Sequence, residues 1–340
     1  MNQTNENQHS ISQILLERFK IPGRPLQCYQ VQTGEWIPKS KEKACAWPGY
    51  NQLLVSGQAD NTLEEAFSKV ESGLRKTFKA LEEAARKPST QLPPAIYENM
   101  CWYCAFLKGV ALFSKPGAVV GLVLQINWEL ENGKHDLLRH FDIPKDTIDS
   151  WRRECSLGRK VIIESENGLQ LLYRFQFRRT YALDYSQFLH TKWTISNSLV
   201  ELPMSDVGLV PIHLTDHKAN HYLLPIGPRL LLEGIFFFDP TKNSPQPLVR
   251  GLTLTQDEAE YRFDTICASA VTEIICSRRI PNISASISRA KAKGVTFHKL
   301  VNPQAITSAG LTNADDDFHF RVVPLDEYVK FVHSFMLPAS

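Results

Sequence analysis

The sequence predicts an α+β protein, and three observations carry that expectation. Helical apolar stripes are concentrated in the first half of the chain, as in the run from Asn61 to about Arg86. The segment 169–181 switches to alternation, with Leu169, Leu171, Tyr173, Phe175 and Phe177 set against Gln170, Arg174, Gln176 and Arg178, and several short β-rich segments follow it up to Phe238. Helical spacing then returns towards the C-terminus, which places an α-rich half before a mixed β-sheet with flanking helices. With 340 residues, the chain passes the roughly 250–300 at which single cores stop growing, so a division is expected. We place it at 1–157, a helical half with an N-terminal β-hairpin, and 158–340, a sheet-containing half, the two joined in one compact unit.

The elements follow in order. In NQHSISQILLERFK, Ile11, Ile14, Leu15 and Phe19 recur at helical spacing, with Ser10 and Gln13 forming a capping box. LQCYQVQTGEW (Leu26 to Trp36) reads as strand, turn and strand. Asn61 and Glu64 form a second capping box, and Leu63, Phe67, Val70, Leu74, Phe78 and Leu81 trace one long core-facing helix. KPSTQLPPA breaks it; Ala95 to Phe113 and Ala118 to Glu131 then read as buried helices separated by SKPG, followed by a helix from Asp146 to Cys155. Strands are expected at 169–181, Lys192 to Ser196, Leu199 to Leu202, Tyr222 to Ile226 and Leu230 to Phe238. Helices at Gln256 to Ser277 and Ser284 to Lys293, a strand in FHFRVVPL and a helix near Asp326 to Phe335 complete the chain.

Composition narrows the function classes. Hydrophobic residues make up 43% and charged residues 22%, the balance of a folded globular protein. A formal net charge of +2 supplies no broad basic field, so any nucleic-acid contact has to be local. The polar start, Met1 to Gln8, lacks the pattern of a secretory signal, and Lys108, Lys115 and Pro116 interrupt the most apolar stretch before it reaches membrane-spanning length. Seven cysteines without a dense framework fit reduced thiols, and the expected location is the cytosol.

His9 stands one position before the expected cap at Ser10. There, the positive end of the helix dipole biases an imidazole towards its neutral form, able to accept a proton or bind a metal; alternatively His9 packs over Ile14 as a hydrophobic staple. HLTDHKANH repeats histidine at four-residue spacing, so His213, His217 and His221 are candidate metal ligands with Asp216 beside them, although the flanking Pro211 and HYLLPI favour a polar surface loop. CWYC (Cys101 and Cys104) has redox-pair spacing but lies in an apolar helical pattern, which favours buried thiols. In YRFQFRRTY, period two separates Arg174 and Arg178 from the aromatics, favouring core-facing rings under a basic face over a base-stacking surface. NADDDF (Asp315 to Asp317) reads as solvated carboxylates.

HSISQILLERF also resembles the start of a bacterial family of domains of unknown function, H-Y-V-P-Q-x-x-L-x-x-F, on His9, Gln13, Leu16 and Phe19. Leu26 to Trp36 and Asp60 to Ser72 resemble its next elements, ISNSLV (Ile195 to Val200) falls where it has T-S-D-N-P-V, and PIGPRLLL (Pro225 to Leu232) resembles P-L-S-P-R-x-L-L. The resemblance implies little chemistry; it points to accessory genomic regions, including phage-defence neighbourhoods. Its polar positions, His9, Gln13, Asn197 and Arg229, are the candidate catalytic residues. Asn197 replaces the family's aspartate, and an amide cannot serve as a carboxylate base. No phosphate loop, nucleophile elbow or zinc-protease motif is present, and no cofactor is expected. The resulting expectation is a protein that binds a macromolecule, protein or nucleic acid, with a metal-dependent hydrolase, a nuclease among the candidates, as the alternative.

Overall fold

The computed structural model describes residues 7–9, 11–48, 53–55, 58–60, 62–110, 114–134, 138, 143–164, 184–214, 219–237, 239, 247–292 and 319–334. The chain opens with β1 (Asn7–His9), α1 (Gln13–Glu17), β2 (Leu26–Gln30), β3 (Trp36–Lys39), β4 (Ala46–Pro48), β5 (Leu53–Val55) and β6 (Gln58–Asp60). Helices α2 (Thr62–Ser72) and α3 (Leu74–Ala84), strand β7 (Thr90–Gln91), then α4 (Pro94–Val110), α5 (Ser114–Glu131) and α6 (Lys145–Ser156) follow. The second half contributes β8 (Lys160–Glu164), β9 (Lys192–Asn197), β10 (Met204–Ser205), β11 (Val210–Leu214), β12 (Ala219–Gly227), β13 (Leu230–Phe237) and β14 (Leu248–Thr253). It ends with α7 (Gln256–Ser269), β15 (Glu273–Cys276), α8 (Ile283–Ala292), β16 (His319–Val323) and α9 (Leu325–Ser334). The architecture is α+β.

Two compact units interleave along the chain, and neither is a continuous half of it. The first takes Met1–Gln52, Asn61–Leu112 and Arg178–His298; the second takes Leu53–Asp60, Phe113–Phe177 and Lys299–Ser340.

The first unit is built on a six-stranded sheet of order β11-β12-β13-β9-β14-β7. Its ladders are antiparallel except β14 against β9, which makes the sheet mixed. Register assigns the faces. Trp193, Ile195 and Asn197 share one face with Tyr222, Leu224, Leu232 and Val249; Thr194 and Ser196 share the other with His221, Leu223, Leu231 and Glu233. Helix α7 covers part of the second face, where Ala259 and Ile266 pack with Val210, Leu223 and Leu231. On the first face, Asn197 and Gly251 meet the C-terminal end of α3. A four-stranded sheet, β10-β15-β2-β3, joins the N-terminal hairpin to two later strands.

Several local expectations are corrected here. The helix read from Asn61 to about Arg86 breaks at Gly73. Asn99 of α4 is inserted at the break, donating from Nδ2 to the Val70 carbonyl at 2.9 Å and accepting from Thr77 Oγ1 at 2.8 Å. A Cβ on residue 73 would stand 2.7 Å from that amide nitrogen, so any side chain there would have to displace Asn99. The helix read from Gln256 to Ser277 stops at Ser269. Asp206 explains the stop: its carboxylate accepts from the N–H groups of Val271 (2.9 Å), Thr272 (2.6 Å) and Glu273 (3.0 Å), which a continuing helix would have turned inwards. The chain leaves as β15. Leu199 to Leu202, read as a strand, is a bend tied to the β12–β13 turn, with Leu202 N–H donating to the Pro228 carbonyl at 2.6 Å. The strand read at 169–181 and the acidic run 315–317 lie outside the described residues.

In the second unit, α5, α6 and α9 enclose the β8–β16 pair around Val123, Ile126, Leu130, Ile148, Val161 and Ile163. Asn127 closes the outer edge of β8. Its Nδ2 donates to the Val161 carbonyl and its Oδ1 accepts from the Val161 N–H, both at 2.8 Å, so a buried helix side chain stands in for a neighbouring strand.

Candidate functional site

Helix α1 starts later than its sequence suggests. Its cap is Ser12, whose Oγ accepts from the Ile14 N–H at 3.1 Å, not Ser10. His9 ends a strand paired with Ala46 of β4 and lies three positions before the cap. Gln13 is the first residue of α1 and is half-buried. What ties α1 to the large sheet is Arg18. Its Nε donates to the Ile226 carbonyl at the end of β12, its Nη2 pairs with Glu82 of α3, and its guanidinium lies 5.1 Å from the centroid of the Phe78 ring.

Asn197 meets the same end of α3 from the sheet side. Its Nδ2 donates to the Ala85 carbonyl at 3.0 Å, capping a helix C-terminus where the last carbonyls lack partners. The next residue, Ser198, donates its N–H to the Arg229 carbonyl at 2.9 Å. Asn197 and Arg229 are therefore brought together, with Arg229 exposed in the β12–β13 turn, while His9 belongs to a different sheet. The amide at Asn197 suits its place: a carboxylate there could not donate and would add negative charge to the negative end of a helix.

The histidine cluster is rearranged by a β-hairpin. His213 sits opposite Asn220 and His221 opposite Ile212, so their register positions alternate between opposite faces of the β11–β12 ladder. His217 lies outside the described residues. His221, 9% exposed, joins a buried ionic cluster on the α7 face. Its Nε2 is 3.2 Å from Glu233 Oε2, which also accepts from Arg262 Nε at 3.2 Å, while Ser196 Oγ donates to Glu233 Oε1 at 2.9 Å. Burial works to raise the Glu233 carboxyl, but the bond to His221 and the Arg262 charge outweigh it and hold the group below the usual carboxylate range. The cluster fixes His221 through one ring nitrogen. Sequence reasoning missed Glu233 and Arg262; the available signal was a lone glutamate inside the apolar strand LLLEGIFFF, which has to find a partner when buried.

Two further clusters hold the fold. Glu273 accepts from the Cys45 N–H at 2.5 Å and pairs with Lys39. Lys108 donates to Asp184 at 2.6 Å with its ammonium 5.7 Å from the centroid of the Tyr222 ring; burial alone would push Lys108 down, but Tyr222 and Asp184 hold it above its ordinary value. Cys101 and Cys104 lie fully buried in α4, where burial pushes both thiols up and away from the reactive thiolate. Among the described residues, no three His, Cys, Asp or Glu side chains converge as metal ligands, and no helix is long and apolar enough to cross a membrane.

The surface feature of this unit is the part of the α7 face that α7 leaves open. Along β14, Leu248 (37% exposed), Arg250 and Leu252 (54% exposed) project side by side. On β9 the exposed Lys192 and half-buried Thr194 adjoin them, with the Lys192 ammonium 5.2 Å from the centroid of the Phe237 ring. Neither Lys192 nor Arg250 has a carboxylate partner among the described residues.

Residues 7–108 match the model of a family described as "Protein of unknown function (DUF4238)". The chain is thus similar to a domain-of-unknown-function family over its N-terminal part; Asn197 and Arg229 lie beyond the matched residues. No curated protein matches the chain, and no solved structure does.

Proposed function

We propose that this chain acts by binding a partner macromolecule through the exposed strip of the six-stranded sheet at β14, as an accessory or defence-associated protein of the bacterial cytosol. The observation that carries this reading is the row Leu248, Arg250 and Leu252, two large apolar side chains kept in water on the outward face of an internal strand. Isolated exposed leucines need no account, but a row of this kind beside cations that have no carboxylate partner among the described residues supports an interaction surface. The candidate residues support binding over chemistry. Asn197 is engaged as a helix cap, the carboxylates of Glu233 and Glu273 are saturated by internal donors, and His213 and His221 occupy opposite faces of their ladder.

The test is a Leu248→Asp/Leu252→Asp variant compared with the unaltered chain at matched thermal stability. Recovery of one identified partner from the native host by the unaltered chain, abolished in the variant, supports the reading. Equal recovery by both places the binding surface elsewhere. About one zinc or manganese per chain by elemental analysis, lost in His217→Ala, would put the hydrolase reading in its place.

A further inference from the structure

We infer that the partner element for this surface is an acidic amphipathic helix of another protein, laid along β14 beside α7; this rests on the open face being the binding surface. The first argument is the layer that α7 begins. It packs over β11, β12 and β13 through Val210, Leu223 and Leu231, and on the same face leaves Leu248, Arg250 and Leu252 of β14 and Lys192 of β9 exposed. Strands are spaced by about 4.8 Å, so β14 lies three strands, or roughly 14 Å, from β12, the middle of the three that α7 packs over. Neighbouring helices in a layer pack about 8–10 Å apart, so a second helix laid along β14 clears α7.

The second argument is spacing along the strip. At about 3.3 Å per strand residue, Arg250 stands about 6.6 Å from each flanking leucine, and the leucines stand about 13 Å apart. On a helix the positions i, i+4 and i+8 rise by about 6 and 12 Å. A helix along β14 can thus set the apolar side chains at i and i+8 on Leu248 and Leu252, with a carboxylate beside that stripe in reach of Arg250. The third argument is charge. Arg250 and Lys192 lack carboxylate partners among the described residues, so glutamate or aspartate flanking the apolar stripe would complete them, and lysine would be repelled.

A single-stranded nucleic acid fits less well. Base stacking needs free aromatic faces, whereas the exposed large groups on this strip are leucines and the Phe237 ring is already covered by Lys192.

Fluorescence anisotropy of the full chain tests this with three labelled titrants: a short amphipathic peptide whose leucine stripe is flanked by glutamates, its lysine counterpart, and an oligothymidylate. The acidic peptide is expected to bind, to weaken at least about tenfold with Arg250→Glu or Leu252→Asp, and to be replaced by the lysine peptide as the preferred titrant of Arg250→Glu. Oligothymidylate binding lost in the same variants would overturn the helix assignment while leaving the surface as a binding surface. A shift from dimer to monomer in Leu252→Asp by analytical ultracentrifugation would also overturn it, assigning the strip to a second copy of the chain. Absence of binding by all three titrants rejects the inference, while the surface itself is judged separately by partner recovery from the host.

Discussion

On one face of the six-stranded sheet, a Cβ added to Gly251 would run into the backbone of α3 and its exit, including the Ala84 carbonyl at 2.8 Å and the Lys87 carbonyl; on the other face, its neighbours Arg250 and Leu252 project into solvent. The same strand is therefore closed to a methyl group on one side and uncovered on the other. The closed face is specified by backbone contact and by Asn197 and Arg18, which pin the sheet to α3. On the α7 face, Leu223, Leu231 and the Glu233 cluster meet the helix, and beyond them Leu248, Arg250 and Leu252 of β14 are exposed. Stability is thus expected to reside on the first face and interaction on the outer part of the second.

The largest test of that contrast is Gly251→Ala. The obstructing atoms are backbone, which cannot swing aside, so unfolding free energy should fall by about 3 kcal/mol or more in a denaturant titration. A loss under about 1 kcal/mol would show that the closed face is looser than its geometry implies.

Glu233→Ala ranks next. Removing a buried carboxylate strands the Arg262 charge, and breaking such a pair costs about 3 kcal/mol. The same residue gives a pH signature. Its folded carboxyl titrates below the ordinary value of 4.5, so its contribution is complete above that value and is lost as pH falls through the lower folded one. Stability measured from pH 6 downwards should therefore fall less steeply in Glu233→Gln than in the unaltered chain; parallel curves would remove Glu233 from the account.

Asn197→Asp sharpens the reading of the α3 cap. It restores the carboxylate of the resembled motif but loses the bond to Ala85 and sets a charge on a helix C-terminus, for an expected loss of about 1–2 kcal/mol. Unchanged or raised stability would mean that the amide is not acting as a cap. Smallest of all, Arg250→Glu and Leu252→Ser on the open strip should move stability by no more than about 0.5 kcal/mol. A larger drop would show that the chain itself already uses this surface.

Much of this molecule was legible in local pattern. Short runs of β-type residues located β9, β12 and β13, and helical patterning located α4, α6, α8 and α9 to within a few residues, because side-chain composition and period report which segments are buried and in what form. The buried environment of CWYC followed in the same way from its apolar flanks.

What only the tertiary structure decided were the points at which distant groups compete for the same backbone. The apolar stripe continues through Gly73, yet Asn99, from another helix, takes the Val70 carbonyl and divides the helix. Helical spacing runs past Ser269, yet Asp206, more than sixty residues earlier, takes the N–H groups of Val271 to Glu273 and sends the chain out as a strand. The residues of the candidate site share that character: Asn197 is read as a catalytic candidate in its motif and becomes a cap only when α3 is placed beneath it, and Glu233 acquires its role from His221 and Arg262. A sequence records which side chains prefer burial or a given period, and that fixed the fold class and most elements. Hydrogen-bond partners far apart in the chain carry no periodic signature, so the helix ends, the caps, the buried ion cluster and the exposed row on β14 were settled only by folding.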